Sequence, residues 1–211
     1  MDIAILLYQG VTALDAIGPY EVLASMPEAN VQFVAKEPGV ITTHAGVPGL
    51  HANMAFADMP APDIFLLPGG PDVSQVANDA ETIAWIQQAH KTSKYSTSVC
   101  TGALILGAAG ILDGLSATTH WMFHDALKDF GAIPTLQRVV REGKVFTAAG
   151  VSSGIDMALT LAAAEYGDDI AQEIQLIIEY DPEPPFNAGS PAKAPKHVID
   201  SLQQKFAHLA P

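Results

Sequence analysis

Cysteine is almost missing from this chain: among 211 residues there is only Cys100. A single cysteine excludes an intramolecular disulfide, and no CxxC or Cys/His spacing of a zinc site accompanies it. Basic residues are also scarce, with 10 Lys+Arg against 23 Asp+Glu and a formal charge of −13. That field repels a phosphate backbone, so nucleic acid is excluded as a partner. It suits neutral or cationic small ligands. Long apolar runs are lacking too, so no segment spans a bilayer and no membrane partner is expected. The N-terminal MDIAILLYQG has no basic start and only a short apolar stretch, unlike a secretory signal. The expected location is cytoplasmic.

What is present is apolar material, 49% of the chain, which is ample for one large core and excludes disorder. It comes in short runs that alternate with helical patterns. DIAILLY (2–8), VQFVAKE (31–37), DIFLLPGG (63–70) and KYSTSV (94–99) read as strands. The first is continuous, as in a strand buried on both faces. Helical spacing covers 14–26, with Gly18-Pro19 expected to break or start a helix inside it. Further helices are read at 81–91, after Cys100, at 124–131 and across 153–180. Residues 41–56 and 138–150 read as hairpins, and LSATTHW (115–121) as another strand. This alternation predicts a single α/β domain over 1–211: a doubly wound, mostly parallel sheet with helices on both faces. A segment with five prolines, 181–196, precedes a short amphipathic tail, VIDSLQQKFAHL. It is open as a linker or as a rigid strap over the domain or a partner subunit.

Cys100 falls where a strand ends and a helix begins, in Ser98-Val99-Cys100-Thr101-Gly102. Small residues two before and two after it permit the sharp strand–turn–helix of a nucleophile elbow. The side chain would stand at the carboxyl end of the sheet, where open α/β folds bind ligands. The helix N-terminus beneath it is expected to depress the thiol pKa. A lone cysteine in an apolar setting is also a common inert core residue.

Asp15 follows the first strand's loop and is placed to reach Cys100, either as a proton donor and acceptor or as a helix cap. Gly69 and Gly70 end a strand at the same edge. With Thr101, their backbone N–H groups are expected to form an anion pocket; the alternative is an ordinary glycine turn. His120 and Trp121 belong to a polar–aromatic cluster. His120 is read as a hydrogen-bonded structural or pocket-lining residue rather than the base for Cys100. His120 and His124 lack the glutamate and third ligand of a metal site, so no metal is expected.

Together, LDAIGPYEVL, LLPGG, SVCTGALILGAAGILDG, ATTHW and GVSSGIDMALTLAAAEYG resemble the ThiJ/PfpI branch of the class I glutamine amidotransferase-like superfamily. The resemblance runs from residue 14 to 167 and implies a flavodoxin-like fold. Two groups share these motifs: ligand-sensing domains of AraC-type regulators, and isocyanide hydratases. EYDPEPPFNAGSP (179–191) is similar to the segment after the last helices in the hydratases, and a basic helix-turn-helix region is not seen. Peptidase-like members carry histidine where Thr101 stands, and glyoxalase or deglycase members carry glutamate in the place of Asp15. The resemblance therefore implies isocyanide hydration through a thioimidate on Cys100, with Asp15 as proton relay. It implies no cofactor, a small-molecule substrate and a homodimer. It also places Val151 against the cysteine. A stand-alone ligand or redox sensor and a glyoxalase/deglycase remain as alternatives.

Overall fold

Strand β1 (Asp2–Leu6) is apolar and buried after its exposed Asp2, because both its faces are covered. In the computed structural model, which describes residues 1–47 and 49–207, Ile3 and Ile5 join one core cluster and Ala4 and Leu6 the other. Pro48, inside the 41–56 hairpin, and His208 and Leu209, at the end of the amphipathic tail, lie outside the described residues.

The remaining strands of the main sheet are β2 (Asn30–Ala35), β5 (Met54–Ala55), β6 (Ile64–Leu67), β7 (Tyr95–Val99), β10 (Val139–Glu142) and β11 (Val145–Ala148). Two small separate pairs complete the set: β3 (Gly39–Thr42) with β4 (Gly49–Ala52), and β8 (Ser116–Ala117) with β9 (Ile133–Pro134). Among the described residues the main sheet has seven strands in the order β10-β11-β7-β6-β1-β2-β5. All neighbours run parallel except the β10–β11 hairpin.

Helices α1 (Ala13–Leu23), α5 (Ser153–Tyr166) and α6 (Asp168–Ile177) cover the Ile3–Ile5 face. Helices α2 (Ser74–Ala77), α3 (Ala80–Thr92) and α4 (Gly102–Ala108) cover the other. The chain leaves β1 towards β2, then returns to the opposite side of β1 as β6. This reversal makes a crevice between β1 and β6 at the carboxyl edge, the place where such sheets bind ligands. The sheet with helices on both faces is the architecture expected from the alternation of runs.

Three details differ from the sequence reading. Helix α1 is unbroken across Gly18-Pro19. Proline removes one backbone donor, but its ring packs so closely on α5 that a Cβ at Gly154 would lie 2.9 Å from Pro19 Cγ. Contact between the two helices holds the proline turn in place. In 115–121 only Ser116–Ala117 pair as a strand, and a 3₁₀ turn starts at Trp121. The segment after α6 is irregular and exposed from 181 to 189, so it does not strap this domain. It leads into α7 (Lys196–Lys205), which has no buried residue.

Candidate active site

Cys100 has φ +58, a conformation that costs a side-chain-bearing residue energy and persists only when neighbours enforce it. Here they do so from three directions. Its N–H donates to the carbonyls of Ala148 at 3.1 Å and Ala149 at 3.0 Å, and its own carbonyl accepts the Thr119 hydroxyl at 2.7 Å. A Cβ at Gly102 would lie 2.0 Å from the Leu67 carbonyl oxygen, so only glycine lets α4 start this close to β6. The elbow read from the Ser98–Gly102 spacing is present.

Two other loops close on it. Thr101 Oγ1 donates to Gly70 O at 2.6 Å and accepts the Gly70 N–H at 2.9 Å. Asp15 occupies the third position of α1, not the cap, and its carboxyl is fully buried. Its Oδ2 accepts the Gly69 N–H at 2.9 Å. Oδ1 is buried without a well-aligned hydrogen bond among the described residues. The Cys100 thiol interacts with this carboxyl and favours its ionised form.

The structure thus brings Cys100, Asp15, Gly69, Gly70 and Thr101 together, but their roles differ from those expected. The Gly69 and Gly70 amides are spent on Asp15 and Thr101, so neither faces the sulfur. The N–H groups that bond the sulfur belong to Thr101 and Val151. Val151 has φ +28, a second strained position, and precedes α5.

The expected depression of the thiol is also reversed. Burial and the neighbouring Asp15 carboxylate push Cys100 up to about 12, against the lowering effect of the two amides. Cys100 is only 6% exposed, and α4 spans just Gly102–Ala108. Desolvation therefore outweighs the helix end. Asp15 itself is pushed up to about 7 by burial, the Gly69 hydrogen bond opposing. The resting pair is a thiol beside a carboxyl that changes charge near neutrality.

His120 makes no hydrogen bond to Cys100 among the described residues. Its Nδ1 accepts the Met122 N–H at 3.4 Å, and burial lowers its pKa, leaving a neutral ring. That ring lies on the Gly150 backbone, where an added Cβ would meet Cδ2 at 2.7 Å. Trp121 lines a cleft of about 370 Å³ with Gln203 and Phe206.

Tyr8 is a member the sequence reading missed. Its hydroxyl donates to Pro68 O at 3.0 Å, and burial, then Asp15 and Cys100, hold it protonated. The signal was available, since Tyr8 ends the first apolar run at the carboxyl edge. Thr119, which pins the Cys100 carbonyl, was visible only as part of a polar cluster.

A doubly wound domain with a strained cysteine elbow and a buried carboxyl beside it defines a class of α/β proteins. The DJ-1/PfpI family profile matches residues 1–164, and the chain belongs to that family. The isonitrile hydratase of Pseudomonas putida is 45% identical over 207 residues, 98% of this chain and 90% of that protein. The transcriptional regulator GbdR of Pseudomonas aeruginosa is 26% identical over 155 residues, 71% of this chain and 41% of the regulator. A crystal structure of a ThiJ/PfpI family protein from Pseudomonas syringae superposes with a TM-score of 0.93 at 42% identity, covering 99% of this chain and 88% of that one.

Proposed function

We propose that this chain is a single-domain isonitrile hydratase that converts R–N≡C and water to an N-substituted formamide, with Cys100 as nucleophile and Asp15 as proton relay. What carries the reading is the buried couple of a raised thiol and a raised carboxyl. Near-full-length similarity to a named isonitrile hydratase supports it.

The chemistry follows from where the protons start. The Asp15 carboxylate takes the thiol proton as sulfur bonds to the terminal isonitrile carbon. It returns that proton to the same carbon, giving a thioimidate, R–N=CH–S–Cys100. Asp15 then accepts a proton from water as the oxygen attacks the CH carbon, and passes that proton to the nitrogen. The resulting R–NH–CH(OH)–S–Cys100 collapses by breaking the C–S bond. The hydroxyl gives its proton to Asp15 as the sulfur leaves, and Asp15 returns it to the thiolate, releasing R–NH–CHO. The Thr101 and Val151 amides stabilise the sulfur whenever it carries charge. A slim linear group with a terminal reacting carbon suits a sulfur so little exposed.

A redox sensor fits less well, because sensor thiols have low pKa values and open access. A sole reduced cysteine at the reacting centre suits a cytoplasmic location. Exposed Leu176, Ile177 and Phe186, each at least 75% exposed, support a homodimer buried across α6 and the proline segment. The test is ultraviolet detection of p-nitroformanilide from p-nitrophenyl isonitrile. Turnover by the folded protein supports the reading, while absence of turnover alongside turnover of methylglyoxal replaces it with a glyoxalase.

A further inference from the structure

Arg138, just before β10, touches neither Cys100 nor Asp15, yet it brackets the turn that carries Val151. Its carbonyl accepts the Ala149 N–H at 2.9 Å, on one side of Val151. Its guanidinium reaches the other side, donating to Ser152 Oγ at 3.2 Å and through Nε to Asp156 Oδ2. The Tyr180 hydroxyl donates to the other oxygen of Asp156 at 3.2 Å, fixing the carboxylate that receives the arginine. The planar fork of arginine can hold two such partners at once, which a point charge cannot.

The bracketed residue needs such support. Val151 is β-branched with φ +28, a combination that relaxes unless its flanks are fixed. Relaxation would turn its N–H away from the sulfur it bonds. We propose that Arg138 is a positioning residue, holding the 149–153 turn so that the Val151 amide stays aimed at the Cys100 sulfur. This rests on the reading that Cys100 performs the chemistry.

An ordinary exposed ion pair would add little and would leave the sulfur untouched. Lys196 with Asp200, on α7, is such a pair and serves as the control. The ionisable groups facing the sulfur are Asp15 from α1 and Tyr8 from the end of β1, and none of the substitutions below alters either.

The experiment measures the rate of Cys100 alkylation by iodoacetamide against pH, together with kcat/KM and Tm. In Arg138→Met, kcat/KM should fall roughly 10-fold, the factor expected for weakening one hydrogen bond to a charged sulfur. The alkylation profile should move to higher pH, while Tm changes no more than in Lys196→Met. Arg138→Lys, able to reach one partner only, should be intermediate. Ser152→Ala should shift the profile in the same direction by less, and it carries the test if Arg138→Met does not fold. An alkylation profile superimposable on the wild type in these variants, whatever their Tm, overturns the proposal. The cysteine reading fails separately, if Cys100→Ala retains isonitrile turnover.

Discussion

Replacing Asp15 by asparagine should make the protein more stable and almost inactive. Raising a carboxyl from 3.8 to about 7 disfavours its ionised form by roughly 4 kcal/mol, at about 1.4 kcal/mol per tenfold change in proton affinity. The direction follows from linkage: the folded state holds this proton more tightly than the unfolded chain. Stability from Asp15 is therefore complete below 3.8 and is lost as pH rises to about 7. Asparagine keeps an oxygen for the Gly69 N–H and removes the buried charge, but its amide N–H groups must be satisfied. Subtracting that leaves a net gain of about 2 kcal/mol at pH 8, or roughly 4–8 °C in Tm for a chain of this size. The advantage should be smallest near pH 4 and constant above pH 7. Without the carboxylate, kcat/KM should fall by roughly 10²–10⁴. Melting curves of both proteins from pH 4 to 9, paired with turnover of p-nitrophenyl isonitrile, check both halves. A variant no more stable than the wild type at pH 8, or equally advantaged at pH 4, would refute the reasoning.

The same carboxyl sets the pH dependence of the wild type, whose kcat/KM should rise with pH and level off above about 7, where Asp15 is ionised. A profile flat from pH 5 to 8 would remove Asp15 as the base. Gly102→Ala places a Cβ 2.0 Å from the Leu67 carbonyl oxygen and should cost roughly 3 kcal/mol or more, read as loss of soluble protein or a collapsed Tm. Thr119→Val removes the hydroxyl that holds the Cys100 carbonyl; chemical denaturation should show a loss of about 1 kcal/mol. His90 bonds Ser96 through Nδ1 at 2.8 Å, and burial, with Lys144 nearby, lowers its pKa below 6.5. Its contribution is present above 6.5 and lost as pH falls towards the folded value, so His90→Asn should flatten the stability profile on the acid side.

The parts of the site legible in the sequence were those set by local pattern. The apolar runs of β1 and β6 show as continuous stretches because both faces of these strands are buried. The elbow shows because glycine is obligatory at 102, and Asp15 shows because the first loop of such a sheet ends beside it. The proton's resting place was not legible. It depends on how completely Cys100 and Asp15 are enclosed, and enclosure is a property of three loops together. Nor could spacing reveal that the Gly69 and Gly70 amides serve the carboxyl and Thr101 while Val151, from a distant turn, serves the sulfur. Pro19 misled for the same reason: its compatibility with α1 lies in the missing side chain of Gly154 on another helix.

The central claim is that the sulfur of Cys100 bonds to the isonitrile carbon. The most direct measurement is formamide production from p-nitrophenyl isonitrile by Cys100→Ala, with wild-type protein quenched during turnover and weighed intact. The account predicts no enzymatic formamide from the variant, and in the wild type an added mass equal to one isonitrile, mapped to Cys100. Undiminished formamide production by Cys100→Ala would contradict it.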